Sequence, residues 1–156
     1  MKTNAARILE QHGFGYSVIE YDVGDEDLSA QDVAQRVGLP PEQVFKTLVV
    51  RGDRTGVILA VIPGSSELDM KLLAAASDNK RVEMVAVKEI QPLTGYVRGG
   101  VSPLGTRKKH PVFIDEMAEA WDTISVSAGL PGAQLLVRPS DLVSAAEGKV
   151  CDITHR

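Results

Sequence analysis

Lys46 interrupts the otherwise apolar run Phe45-Lys46-Thr47-Leu48-Val49-Val50. If the run is a strand, Phe45, Thr47 and Val49 face one side and Lys46, Leu48 and Val50 the other. Both faces are then largely apolar, the pattern of a central, buried strand. Burying an unpaired ammonium there is expensive, so the side chain must snorkel to an edge or open into a polar cleft. A strand-end lysine reaching solvent and a lysine committed to a ligand both fit the pattern.

A second candidate is Thr94-Gly95-Tyr96-Val97-Arg98-Gly99-Gly100-Val101-Ser102-Pro103-Leu104-Gly105. Glycines let a backbone approach a ligand closely and aim N–H groups at an anion or a developing oxyanion. Phosphate motifs fail here: Gly100 and Gly105 have Walker-A spacing, but Thr106-Arg107 stand where Lys-Ser/Thr is required. Serine-nucleophile motifs fail narrowly. Gly100-Val101-Ser102-Pro103-Leu104-Gly105 has one residue too many for a nucleophile elbow, and Ser125-Val126-Ser127-Ala128-Gly129 lacks its first glycine. Ser127-Ala128-Gly129 can instead close a pocket with backbone donors, or simply end a strand. Cys151 is the lone cysteine, and His12, His110 and His155 are scattered without metal-ligand spacing, so no metal and no cofactor are expected.

These residues need elements to hold them. Thr3 or Asn4 can cap a first helix with Ala5, Ile8, Leu9 and His12 on one face and Gly13 as its stop. A strand follows over Tyr16 to Tyr21, then an acidic loop from Asp22 to Asp27. Ser29 and Asp32 form a capping box for a helix with Ala30, Val33 and Val37 inward and Gly38 closing it. Pro40 and Pro41 start a short turn. Val44 to Arg51 and Val57 to Ile62 read as a hairpin around Gly52-Asp53-Arg54-Thr55-Gly56. Asp69 caps a helix through Ala76. Then come a strand over Val82 to Val85, a helix near Val87 to Gln91, and strands near Val112 to Asp115, Thr123 to Ser127 and Leu135 to Val137. Ser140 caps a last helix ending at Gly148. Strands joined both by a hairpin and by helices predict a single α/β domain over 1–156: a strongly twisted, barrel-like mixed sheet with helices packed outside.

The bulk numbers agree with one soluble domain: 156 residues, 44% hydrophobic and 24% charged. The apolar run Val57 to Ile62 is too short to span a bilayer, and the N-terminus lacks the apolar stretch of a signal peptide, so no membrane and a cytoplasmic location are expected. A net charge of −4 argues at first against a nucleic-acid partner. Between Gln91 and Ile114, however, there is no Asp or Glu, while Arg98, Arg107, Lys108 and Lys109 supply positive charge for phosphate contacts or for a solvated loop face.

In this order, these segments resemble the YbaK/prolyl-tRNA-synthetase-associated domain family. The resemblance rests on Gln43-Val44-Phe45-Lys46-Thr47-Leu48, Leu68-Asp69-Met70-Lys71, Thr94 through Gly105, and Ile124-Ser125-Val126-Ser127-Ala128-Gly129, and runs from the first helix to Ile153. The Gly-Gly-x-Ser-Pro-Leu-Gly form is similar to that of free-standing Cys-tRNA(Pro) deacylases. The resemblance implies removal of an amino acid wrongly attached to tRNA(Pro), with mischarged tRNA and prolyl-tRNA synthetase as partners. An apolar pocket separates cysteine from proline poorly, which is why a second site is needed. Lys46 matches the family's essential lysine. Tyr21, Thr47 and Ser127 match pocket positions, and Gly99 and Gly100 its glycine loop. Gln134 stands where close relatives carry Asp, and Ser29 where they carry an aromatic residue.

The implied chemistry suits the residues. Lys46 is assigned to the terminal adenosine or its phosphate, and the N–H groups near Gly99, Gly100 and Val101 to the ester carbonyl. Ser127 and Gly129 complete the substrate pocket. No protein nucleophile is apparent, in keeping with the family's proposed attack by the substrate cysteine's own thiol. Deacylation of Ala- or Ser-tRNA, or a non-catalytic tRNA-binding module accessory to a synthetase, remain alternatives.

Overall fold

A computed structural model of the chain describes residues 2–24 and 28–155; the second half of the expected acidic loop, 25–27, lies outside these. Helix α1 (Asn4–Gln11) begins where Thr3 Oγ1 accepts from Ala6 N at 3.2 Å, and it buries Ala5, Ala6 and Leu9. His12, expected on the packed face, falls beyond the last helical turn. It is exposed and stacks on Phe14 at 5.4 Å. Strand β1 (Ser17–Glu20) follows. Helix α2 (Ala30–Val37) has the expected Ser29/Asp32 capping box and ends on Gly38 in the left-handed region. Its buried face is Val33 and Ala34, one step round from the stripe expected.

The hairpin is β2 (Phe45–Gly52) and β3 (Gly56–Pro63), in register from Phe45 opposite Pro63 to Gly52 opposite Gly56. Helix α3 (Met70–Ala76) is capped by Asp69, whose Oδ1 accepts from Leu72 N at 3.0 Å. Strand β4 (Val82–Met84) adds to the free edge of β2. Helix α4 (Val87–Thr94) runs past Pro92, further than the proline suggests, and closes on Gly95 at φ +82°. Strands β5 (Val112–Asp115), β6 (Ile124–Ser127) and β7 (Ala133–Val137) lie where the apolar runs put them.

Helix α5 (Pro139–Ala146) starts two residues earlier than a cap at Ser140 implies. Arg138 is the cap position and Pro139 fills the first turn, where a missing N–H costs nothing. A last strand, β8 (Lys149–Cys151), was not anticipated, being only three residues long.

The strands form two sheets, β1-β7-β6 and β4-β2-β3-β5-β8. The second is mixed, with β5 parallel to both β3 and β8. The expected barrel does not close. A single parallel bridge, Val44 to Ser125, and the Gln43 amide donating to Thr123 O at 3.0 Å join the sheets. Just before the bridge the chain makes a tight turn that uses the N–H groups of Gln43 and Val44 on Pro40 O and Pro41 O. The main core lies between the sheets and under α1 and α5, around Leu9, Phe45, Leu59, Ile114, Leu135 and Leu142; a second cluster, with Val50, Ile62 and Ile153, packs under Leu73 of α3.

Candidate functional site

The alternation of β2 splits its side chains between two environments. Phe45 and Val49 enter the main core, while Leu48 and Val50 join the cluster under α3. Along the N-terminal half of β2 a cleft of about 450 Å³ opens, walled by β2, the start of α2, the β4–α4 junction, the glycine loop and the facing pair Ser127 and Gln134. Lys46, Thr47, Arg98, Gly99, Val101 and Ser127, all singled out in the sequence, line it.

Lys46 is half-buried, and its Nζ donates to Gly64 O at 3.2 Å. Burial pushes its pKa down from the usual lysine value, while the negative field of Glu67 opposes that shift. The acceptor is fixed: Gly64 N donates to Val44 O at 2.7 Å, and a Cβ at Gly64 would sit 2.6 Å from Ala30 Cβ. The strand-end turn and α2 therefore pack backbone to methyl, which only glycine permits. On the next residue, Thr47 Oγ1 is buried with no hydrogen-bond partner.

The glycine loop leaves α4 through Gly95. A turn follows in which Gly100 N donates to Val97 O at 2.9 Å, with Gly99 at φ +88°. A Cβ on Gly100 would lie 2.7 Å from Pro131 Cδ and 2.8 Å from Leu130 Cα, so this glycine is needed for close packing against the β6–β7 turn. Its N–H is already used within the loop. The amides of Gly99 and Val101 donate to no acceptor among the described residues. Tyr96 pins the loop's far end, its hydroxyl donating to Leu104 O at 2.6 Å, and burial pushes its pKa up to about 12. Ser102 is buried and its Oγ accepts from Leu104 N at 3.3 Å, a structural rather than a nucleophilic setting.

Other expected residues lie elsewhere. The backbone donors of Ser127-Ala128-Gly129 are spent, Ala128 N on Ala133 O and Gly129 N on Ser127 Oγ. Gly129, at φ +107°, instead gives room to the Tyr96 ring, 2.9 Å from where its Cβ would be. Tyr21 packs against the Val33, Ala34 and Val44 cluster behind α2, and its N–H donates to Gly132 O. Of the four cations expected around the glycine loop, only Arg98 lines the cleft; Arg107 lies alongside Gly95, Lys108 is exposed, and Lys109 pairs with Glu147.

In the apolar wall, Ala30 and Val33 come from the stripe expected to face inward on α2, whereas Leu28, Met84, Val87 and Ile90 could not be read from sequence, because they lie on short segments that carry no periodic signal. Among the described residues no cluster of His, Cys, Asp and Glu is arranged to hold a metal, and no helix is long and apolar enough to cross a membrane. Around the described lining, then, are two cations, two free amides, an orphan hydroxyl and a serine oxygen already accepting a hydrogen bond. Such a set can hold an anionic or carbonyl group and polarise it.

Comparison with known proteins fits this geometry. A family profile described as "Aminoacyl-tRNA editing domain" matches residues 26–145. The chain is 44% identical, over 99% of its length and 94% of the relative's, to an Enterococcus faecalis protein provisionally named Cys-tRNA(Pro)/Cys-tRNA(Cys) deacylase EbsC. It is 24% identical to the Escherichia coli multifunctional Ser/Thr-tRNA deacylase ProXp-y, over 90% of this chain and 84% of that one. A crystal structure provisionally described as a trans-editing enzyme for prolyl tRNA synthetase superposes with a TM-score of 0.86 at 27% identity, covering all of both chains.

Proposed function

Because the chain belongs to the aminoacyl-tRNA editing domain family, we propose that it is a trans-acting deacylase that removes cysteine mischarged onto tRNA(Pro). The observation that carries this reading is a cleft rich in donors in which no side chain is set up as a nucleophile. Lys46 and Arg98 supply positive charge, and the Gly99 and Val101 amides are free to receive a carbonyl oxygen. Ser127 is the one lining serine; its Oγ accepts from Gly129 N, and no histidine or carboxylate among the described lining residues stands by to activate it.

The attacking group then comes from the substrate. The cysteine sulfur adds to the ester carbonyl carbon, and a C–S bond forms as the C–O bond to the terminal ribose breaks. The thiol proton ends on the departing ribose oxygen, and a thiolactone leaves. Lys46 holds the terminal nucleotide, and the amides stabilise the oxyanion. With Gly100 N–H committed to Val97, the oxyanion role narrows to Gly99 and Val101.

Single-turnover deacylation of Cys-, S-methyl-Cys- and Ala-tRNA(Pro) tests this. Fast loss of cysteine alone is expected, with a rate that rises with pH as the thiol, of ordinary pKa about 8.5, ionises. Equal rates for the three would require an enzyme-held water instead. Release of cysteine at substoichiometric protein separates an enzyme from a tRNA-binding module, which would protect the ester.

A further inference from the structure

The polar end of the cleft is set by a residue that the cleft itself never touches. In the β6–β7 ladder Ser127 lies opposite Gln134 and Ser125 opposite Leu136, so the side chains of Ser125, Ser127 and Gln134 share one face of the sheet. Gln134 lines the cleft and is 5% exposed; Ser125 is fully buried outside the lining. The Ser125 hydroxyl donates to Gln134 Oε1 at 2.6 Å. That bond engages the carbonyl end of the amide. Nε2 has no acceptor among the described residues, yet it is not sealed from the cleft as Thr47 Oγ1 is.

A glutamine amide can present either an acceptor or two donors, according to which way it is turned. Here the buried Ser125 hydroxyl, whose proton finds no other acceptor among the described residues, is satisfied as a donor only with Oε1 turned toward it.

We propose that Ser125 is a positioning residue for substrate selection. It turns the Gln134 amide so that its N–H groups receive an oxygen or sulfur on the β-carbon of the substrate's amino acid. A bare methyl there leaves the amide unpaired and is rejected, as sites built for hydrogen bonding reject analogues that lack the partner. The inference rests on the deacylase reading for its substrate class.

The test uses binding rather than cleavage. Full-length protein is titrated with tRNA(Pro) ending in 3′-amino-3′-deoxyadenosine and carrying seryl or alanyl through a stable amide. The wild type should bind the seryl form about tenfold more tightly, the scale of one or two net hydrogen bonds. Ser125→Ala should bring the ratio close to one by weakening the seryl form alone, and Ser125→Thr, which keeps the hydroxyl, should restore it. Gln134→Leu should abolish the ratio, and adding Ser125→Ala to it should change nothing more.

A general loss of packing would weaken both ligands equally and leave the ratio intact, and that outcome would overturn the proposal. If Ser125→Ala does not fold, a Gln134→Leu protein that keeps the tenfold preference overturns it just as well. Failure of the wild type to release cysteine from Cys-tRNA(Pro) would instead sink the deacylase reading, whatever the binding ratio.

Discussion

At Lys46, among the described residues, the hydrogen bond to Gly64 O and the charge of Glu67 are what offset burial of the ammonium. Below its lowered pKa the folded chain carries a desolvated cation that the unfolded chain keeps in water. Because the unfolded chain binds that proton more tightly, stability rises with pH between the folded value and the ordinary 10.5. Lys46→Met should therefore melt above wild type at neutral pH, and the advantage should fade in alkali. Single-turnover deacylation by the same variant should fall by about a hundredfold, as misplacement of a reacting ester does. A melting temperature below wild type, or a normal rate, would contradict the assignment. The lysine was legible in the sequence because a charge in an apolar strand breaks a pattern. The Gln134 amide was not, since its orientation depends on Ser125, nine residues away along a hairpin whose register the sequence leaves unspecified.

Among the elements, the loop from Gly95 to Gly105 depends most on one side chain. Tyr96 holds Leu104 O and packs against Gly129, joining the two ends of the loop to the β6–β7 turn. Its hydroxyl stays protonated in the fold up to about pH 12, whereas in the unfolded chain it ionises at 10.0. The unfolded state then holds fewer protons, and stability is lost as pH rises through that interval. Wild type should show this alkaline decline in denaturant melts, and Tyr96→Phe should lack this component of it. Tyr96→Phe should also be less stable at neutral pH by about 1–3 kcal/mol, since Leu104 O is left unpaired. The sequence marked this loop by its glycines, yet the reasons for those glycines differ. Gly99 needs its positive φ, and Gly100 needs space against Pro131; only the packed structure distinguishes the two. The start of α5 was misplaced by two positions because a proline at the first turn and a nearby serine both signal helix starts.

For the molecule as a whole, a net charge of −4 meets a polyanionic partner with Arg98 and Lys46 in the cleft and Arg107 and Lys108 near its loop, while Lys109 is engaged by Glu147. Capture of tRNA should weaken with salt as though about two to three counterions were released. Adding prolyl-tRNA synthetase should improve capture by raising effective concentration. Tight, salt-insensitive binding by the isolated protein would refute this. The overall α/β layering could be read from the alternation of strands and helices, but the sheet boundaries could not, because they turn on one distant pairing. That pairing sets Ser17 of β1 against Leu136 of β7. At ordinary synthesis rates of about 5–20 residues per second, β1 waits on the order of ten seconds for its partner to leave the ribosome. Until then Val18 and Ile19 lie on an open edge, and the wall carrying Gln134 does not exist. The β2–β3 hairpin and its lysine are by contrast made early and locally. A newly made copy thus carries its charged group long before it carries its selectivity, and it becomes a proofreader only once its last third has been translated.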